Sequence, residues 1–300
     1  MKNLQAHHND KASPIPRLLG MATAWIKCVR ICIHLGYGAW QALWYPILAP
    51  VIQRHMLKSW SLELLAILDI EIIPDLANTP EYGAGCLLVS NHVSWLDIFV
   101  INAVHPCQFV AKSEIRSWPI VGWLCRRTGT HFIERTERRD AAKANAKLAH
   151  SIKHGASIGL FPEGTTTDGT HVAHFHAAML QPALDSGATV HPVGLRYLDQ
   201  NRQPSTRVLF TGETTLVDSL WKVLCSHKLV ATVTFIPFDS KRYTDRKSLT
   251  QAAREVIANH LHRPVAIPDN NATAPLKEGH ESSPTGYGLL LDPLSHPNRN

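Results

Sequence analysis

The segment SNHVSWLD (90–97) places a histidine and an aspartate, His92 and Asp97, five residues apart. Five residues along one helix turn by about 500°, so these two side chains do not share a helical face. They can meet if His92 lies in a strand-to-helix turn and Asp97 in the first helical turn. Asp97 would then orient the imidazole and leave its other nitrogen as a base near neutral pH. A structural alternative stays open, because Ser94-x-x-Asp97 is also a capping-box pattern.

A second candidate is the segment LFPEGTTTDG (160–169), an apolar strand that runs into Glu163 and Gly164. Glu163 follows the carboxyl end of this strand, where α/β proteins place their sites, and its carboxylate can accept hydrogen bonds from a substrate hydroxyl. Gly164 permits close approach of the backbone. The same residues are typical of a plain turn, which is the alternative.

A third candidate is a basic segment from Lys112 to Arg139, which has seven basic and three acidic residues and a net charge of +4. Lys112 and Arg135 each end a predicted apolar strand, and Arg135 could hold a phosphate in bidentate fashion. Arg138 and Arg139 are better explained as the solvated start of a helix.

Other catalytic signatures are missing from the sequence. The histidines of HVAHFH (171–176) lack the helical spacing of a zinc site, so we expect no metal. No GxSxG, Walker A or GxGxxG motif occurs, which leaves no signature for a hydrolase serine, a P-loop ATPase or a dinucleotide cofactor.

Strand and helix signals alternate over residues 69–262 and predict an α/β domain with a largely parallel sheet. The predicted strands are 86–91, 107–111, 131–135, 157–161, 189–197, 207–212 and 229–238. The predicted helices are 95–104, 136–153, 176–186, 214–225 and 245–262.

The region before this domain is apolar and aromatic. Residues 20–68 are predicted to be helical, and 31–52 carry no formal charge over 22 residues, about the length that spans a bilayer. Lys27 and Arg30 precede this run, which favours a cytoplasmic N-terminus. We expect a membrane-embedded or interfacial helical anchor, although Pro46 disfavours one straight span. A buried core helix is the alternative.

The amino-acid composition indicates the class of partner and predicts which end regions are disordered. The 300 residues are 45% hydrophobic and 18% charged, with a net charge of +6, which indicates a globular chain with an anionic partner. Nucleic acid is disfavoured, because the basic residues lack interleaved aromatics or a helix-turn-helix pattern. Residues 1–19 and the Pro- and Asn-rich residues 263–300 are predicted to be disordered.

Four segments in a fixed order resemble the blocks of the glycerolipid acyltransferase family, whose best-known members are 1-acyl-glycerol-3-phosphate acyltransferases. These blocks are NHVSWLD (91–97), GTHFIER (129–135), FPEGTTT (161–167) and VHPVGLRY (190–197). The resemblance covers about residues 56–240. It implies a single glycerol-3-phosphate acyltransferase-like α/β domain with a mainly parallel sheet, preceded by the membrane-associated helical segment.

The resemblance also implies a mechanism and a set of binding residues. His92 is the general base on an acceptor hydroxyl and Asp97 orients it, while the acyl group comes from acyl-CoA or acyl-acyl carrier protein as co-substrate, with no cofactor. The fourth block, around Pro192, is implied to shape the side of the acyl donor. The implied substrate-binding residues are Lys112, Arg135, Glu163, Gly164, Thr165 and Arg196.

One departure from the family pattern concerns the acceptor. Many members that bind a phosphate have arginine directly after EGT, where this chain has Thr166, and Arg196 of the fourth block could compensate. Lysophosphatidic acid is the first expectation, with lyso-ornithine lipid or lysophosphatidylcholine as alternatives. A non-catalytic lipid-binding protein is the alternative of another class. We expect the protein on the cytoplasmic face of the inner or plasma membrane, anchored through residues 20–68.

Overall fold

A single mixed sheet forms the centre of the computed structural model, which describes residues 14–133 and 138–263. Within these residues the strands are β1 (Ile70–Asp75), β2 (Cys86–Ser90), β3 (Gln108–Lys112), β4 (His131–Ile133), β5 (Ser157–Leu160), β6 (Thr189–Leu198) and β7 (Leu229–Phe235). The helices are α1 (Pro14–Trp44), α2 (Pro50–Ile67), α3 (Asp97–Val104), α4 (Val121–Arg127), α5 (Arg138–Lys153), α6 (Gln181–Ser186), α7 (Leu216–Leu224) and α8 (Arg246–Leu261).

The strand order is β1-β7-β6-β2-β5-β3-β4. The run from β6 to β4 and the β1–β7 pair are parallel, and among the described strands only the β6–β7 pair is antiparallel. The predicted α/β class with a mainly parallel sheet is therefore confirmed. The carboxyl ends of β2, β3 and β5 lie at one edge of the sheet, where the loops that follow them can meet.

Both faces of the sheet are buried, which explains why β2 is apolar at four successive positions. Leu88 faces a core that also contains Leu65 of α2 and Val100 of α3. Leu87 faces a second core with Ile152 of α5 and Ile257 of α8. Successive residues of β2 therefore belong to different cores. The face of the sheet on which a residue lies determines which side chains it can contact.

Several segments differ from the prediction, among them α4, which was not predicted as a helix. Residues 207–212 were predicted as a strand but form no strand, although Val208 is fully buried. The backbone N–H of Phe210 donates to the Val93 carbonyl at 3.1 Å. This segment therefore bonds to the turn between β2 and α3 instead of pairing with a strand of the sheet. Conversely, β1 was not predicted. Its alternation is weak and it contains Pro74, which is tolerated because β1 is an edge strand.

The N-terminal region is helical, as predicted, but it is interrupted. α1 begins at Pro14, inside the stretch predicted to be disordered, and ends at Trp44 before a 3-10 helix at Tyr45–Ile47. A new helix then starts at Pro50, so the uncharged run is divided between two helices. Among the described residues, no helix is both long and apolar enough to cross a membrane. Residues 1–13 and 264–300, which include most of the predicted disordered ends, lie outside the described residues.

Candidate active site

His92 and Asp97 lie together in the turn between β2 and α3, in the arrangement that the sequence predicts. β2 ends at Ser90, His92 lies in the turn, and Asp97 is the first residue of α3. The Nδ1 atom of His92 is 2.7 Å from Oδ2 of Asp97. Because a carboxylate accepts hydrogen bonds, Nδ1 is the donor, and in the neutral imidazole Nε2 keeps its lone pair.

The carboxylate of Asp97 is fully buried and accepts three further hydrogen bonds. Oδ2 accepts the backbone N–H groups of Val93 at 2.8 Å and Ser94 at 3.0 Å. Oδ1 accepts the hydroxyl of Tyr197 at 2.7 Å. The capping alternative and the catalytic interpretation are therefore compatible, since one side chain closes the turn and orients the imidazole.

Tyr197 remains a hydrogen-bond donor in this environment. Burial is the main reason that the pKa of its hydroxyl is raised well above the ordinary value, and the neighbouring Asp97 raises it further. A protonated phenol beside a buried carboxylate supplies the donor that Oδ1 would otherwise lack.

The imidazole of His92 is held by stacking and is open at one side. Its ring stacks on Phe161 with centroids 4.0 Å apart and planes 11° apart. The side chain is 18% exposed. Within residues 14–133 and 138–263, no group hydrogen bonds to Nε2. The unprotonated nitrogen is therefore available to a substrate proton.

The backbone of His92 is fixed by the third sequence block. Its N–H donates to Oε1 of Glu163 at 2.8 Å, and its carbonyl accepts the N–H of Thr167 at 2.8 Å. The other carboxylate oxygen, Oε2, accepts the N–H of Ala173 at 2.9 Å. Burial raises the pKa of Glu163, while these two backbone donors act in the opposite direction.

Glu163 therefore has a different position from the one predicted. It was expected to accept hydrogen bonds from a substrate hydroxyl, but its side chain is buried and each oxygen is bonded to a backbone N–H. A carboxylate that is desolvated in this way stabilises the loop geometry around His92. The sequence shows that Glu163 follows a strand, but not that its side chain points back into the protein.

The residues after Glu163 form a tight turn beside His92. Gly164 has φ of +71°, which a residue with a Cβ rarely adopts, and its N–H donates to the Phe161 carbonyl at 3.0 Å. Thr165, a predicted binding residue, is exposed. Thr166, at the position of the missing arginine, donates its hydroxyl to the Phe210 carbonyl.

The three predicted basic residues have different placements. Lys112 ends β3 at the same sheet edge as His92, and its side chain is exposed. Arg135 lies outside the described residues. Arg196 does not face His92, because its neighbour Tyr197 takes that side of β6, and its guanidinium donates to the His260 carbonyl near the end of α8. This placement gives no support to the prediction that Arg196 compensates for the missing arginine.

Sequence reasoning did not single out two residues that support the site, Tyr197 and Asn91. Asn91 is buried and bonds both backbone groups of Leu195, with its amide donating at 3.1 Å and its carbonyl accepting at 2.9 Å. Strand alternation could have indicated Tyr197, because Leu195 and Tyr197 share one face of β6. The role of Asn91 has no comparable local signal, since its partner is 104 residues away.

The sequence is similar to those of known acyltransferases. Residues 69–196 match the family model described as Acyltransferase. A 1-acyl-sn-glycerol-3-phosphate acyltransferase from Neisseria gonorrhoeae is 36% identical over 185 residues, 60% of this chain and 72% of the relative. A lyso-ornithine lipid O-acyltransferase from Pseudomonas aeruginosa is 31% identical over 245 residues, 80% of this chain and 89% of the relative.

A solved structure shares the fold. The 1-acyl-sn-glycerophosphate acyltransferase from Thermotoga maritima superposes with a TM-score of 0.60 at 22% identity. The match covers 82% of this chain and 95% of the other.

Proposed function

The chain belongs to the glycerolipid acyltransferase family and is an acyltransferase, and on this premise we propose that it acylates the free hydroxyl of a lyso-lipid. The donor is the thioester of acyl-CoA or acyl-acyl carrier protein. The observation that carries the proposal is the 2.7 Å contact between Nδ1 of His92 and Oδ2 of Asp97, because it makes Nδ1 the donor. In the neutral imidazole Nε2 is then the acceptor, and no described residue bonds to it.

The proposed reaction needs one base and no covalent enzyme intermediate. Nε2 of His92 takes the proton of the acceptor hydroxyl while the hydroxyl oxygen attacks the thioester carbonyl carbon. The tetrahedral intermediate collapses, the carbon–sulfur bond breaks, and the proton on the imidazolium passes to the leaving thiolate. The buried carboxylate of Asp97 stabilises the imidazolium that exists between these steps.

The first candidate acceptor is 1-acyl-sn-glycerol-3-phosphate, which would give phosphatidic acid. The ammonium group of Lys112, exposed at the edge of the sheet that carries His92, is a partner for the acceptor phosphate, together with Arg135. The name of the Neisseria relative agrees with this substrate.

The second candidate acceptor is lyso-ornithine lipid. Two observations favour it: the Thr166 hydroxyl is bonded to the Phe210 carbonyl where a phosphate-binding arginine is expected, and the relative named for this lipid aligns over 80% of this chain. Lysophosphatidylcholine is a third acceptor of the same reaction.

We also propose that the protein lies on the cytoplasmic face of the inner or plasma membrane and is anchored through residues 20–68. The support is an exposed apolar stripe on α1, at intervals of three and four residues. Its members are Ile26, Val29, Ile33, Tyr37, Trp40 and Trp44. Because the opposite side of α1 is buried at Ala24 and Ile31, this helix has two apolar faces and only one of them is covered by protein.

The test is a product analysis with the full chain purified in detergent. Acyl-CoA or acyl-acyl carrier protein is supplied with each of the three lyso-lipids, and products are identified by mass spectrometry. We expect one acceptor to be acylated and His92→Ala to lose at least about a thousandfold in turnover. The exposed His171→Ala is the matched control. Equal turnover by His92→Ala would refute the mechanism, and binding of lyso-lipid without any product would favour the non-catalytic alternative.

A further inference from the structure

The loop between β3 and α4 has a strained, apolar tip. Ile120 has φ of 61° and ψ of −60°, and the Val121 N–H donates to the Pro119 carbonyl at 2.6 Å. This is a γ-turn with positive φ, a rare conformation that is an outlier for a β-branched residue. Such strain persists only where the surrounding structure holds it.

The tip projects apolar side chains into solvent. Ile120 is 65% exposed, Trp118 45% and Val121 39%. Gly122 fixes this orientation, because a Cβ at that position would lie 2.4 Å from the Arg116 carbonyl oxygen. The backbone below the tip is thus packed closely, and the side chains above it are each partly open to solvent.

Basic residues flank the tip in the sequence. From Lys112 to Arg127 the chain has four basic residues and one acidic residue, Glu114. Lys112, Arg116 and Arg126 are exposed, and Arg126 donates to the Arg116 carbonyl at 2.8 Å. An apolar tip flanked by exposed cations matches the boundary of an anionic bilayer, where apolar groups enter the acyl region and cations meet phosphates.

The helix that follows the tip is in contact with the end of α1. Arg127 donates to the carbonyls of Ala42 at 2.9 Å and Leu43 at 2.6 Å, which joins α4 to the end of α1. Trp40 and Trp44, at that end of α1, are both more than half exposed. The loop follows Lys112 at the sheet edge that carries His92, so a bilayer touching the tip would also lie near the site.

We propose that residues 118–121 form a wedge that inserts into an anionic lipid surface, with Arg116 and Arg126 contacting the headgroups, and so hold the active-site edge against the bilayer. This inference rests on the membrane association proposed above and adds a second, independent contact. The occupant is lipid, and a second copy of this chain is the competing outcome.

The test uses the full chain and vesicles of phosphatidylcholine, alone or with an equal amount of phosphatidylglycerol. Ile120→Gly removes the apolar side chain and relieves the positive φ, so we expect vesicle affinity to fall about tenfold while thermal stability is unchanged or higher. Arg116→Gln with Arg126→Gln should weaken binding only to the anionic vesicles. Leu76→Gly, which removes an exposed leucine elsewhere on the surface, is the matched control and should bind as wild type.

Turnover separates this inference from the proposed function. With substrate dispersed in detergent micelles, Ile120→Gly should retain wild-type turnover, whereas with substrate in anionic vesicles it should lose several-fold. If Ile120→Gly bound vesicles as well as wild type does, the wedge proposal would be overturned and the proposed function would not. The same holds if light scattering showed a wild-type dimer that Ile120→Gly does not form. A wild-type chain that makes no product in micelles would instead overturn the proposed function.

Discussion

The hydroxyl of Tyr197 donates a 2.7 Å hydrogen bond to Oδ1 of Asp97, while Oδ2 of the same carboxylate faces Nδ1 of His92. The phenol and the imidazole therefore share one buried anion. The negative charge that Asp97 offers to His92 depends on how strongly Tyr197 binds it. This places Tyr197 as a positioning residue that acts through Asp97.

Tyr197→Phe should change the pH dependence of the reaction. Without the phenol, Oδ1 of Asp97 loses a donor and the carboxylate holds the imidazolium proton of His92 more strongly. We expect kcat/KM to fall about tenfold and the acid limb of its pH profile to move to higher pH. Tyr243→Phe, which alters a tyrosine stacked on Phe238, is the control. An unshifted profile would show that Tyr197 only packs.

Asp97→Asn should separate geometry from charge. An asparagine can still accept from the Val93 and Ser94 N–H groups with one oxygen and direct its amide to the Tyr197 oxygen, so the turn should persist. The imidazolium loses its anionic partner, and kcat should fall by about 10³ to 10⁴. Circular dichroism and the melting temperature check the fold, and retained kcat would contradict the assigned role.

Glu163→Gln should reduce both stability and activity. One amide oxygen cannot accept from both the His92 and Ala173 N–H groups, so one buried donor is left facing an NH₂ group. We expect a loss of about 1–3 kcal/mol in the free energy of unfolding and a lower kcat, because the His92 backbone is released. Glu213→Gln, on the exposed surface, is the control in denaturant titrations.

Lys112→Ala and Arg196→Leu should behave differently. If Lys112 contacts the acceptor phosphate, its removal should raise KM for lysophosphatidic acid about tenfold with little change in melting temperature. Arg196 is bonded to the His260 carbonyl, so its loss should lower stability and leave KM unchanged. A raised KM in Arg196→Leu would contradict the placement of Arg196 away from the site.

Acid should destabilise the protein through a histidine outside the site. Burial lowers the pKa of His105 from 6.5 to about 4, with smaller contributions from nearby His191, Arg54 and Lys58. Because the folded pKa is depressed, the unfolded chain binds the proton first, and stability present above pH 6.5 is lost as the pH falls to about 4. Such a shift corresponds to about 3 kcal/mol. His105→Gln should flatten this dependence in unfolding titrations, and His171→Gln should not.

Local patterns in the sequence account for much of the fold. The short apolar runs predict β2, β5 and β7, and the spacing of His92 and Asp97 correctly places them in a turn and a first helical turn. The run at 207–212 was misread, because burial of Val208 and an apolar sequence do not reveal that its backbone bonds to a loop. An apolar pattern in the sequence indicates that a segment is buried. Whether that segment forms a strand depends on a neighbouring strand that is distant in the sequence.

The site was predicted less completely than the fold, for a related reason. The type and position of Glu163 and Arg196 were clear, but the direction of each side chain depends on tertiary neighbours. Glu163 turns inward to two backbone donors, and Arg196 occupies the face of β6 that packs on α8. The position of a residue in a motif predicts the region of the structure in which it lies. It does not predict the hydrogen-bond partner of its side chain.

The hydrogen bonds that hold the His92 backbone limit which positions of the EGTTT segment can change during evolution. Its N–H and carbonyl are bonded to Glu163 and Thr167, so the two ends of the EGTTT segment are constrained by the base. Between these two residues, Thr165 is exposed and does not hold the His92 backbone. Evolutionary change in acceptor preference can therefore proceed at Thr165 and at Thr166, whose hydroxyl bonds to Phe210 and not to His92, at little cost to the catalytic geometry. Changes at either end of the segment would alter the chemistry before the specificity.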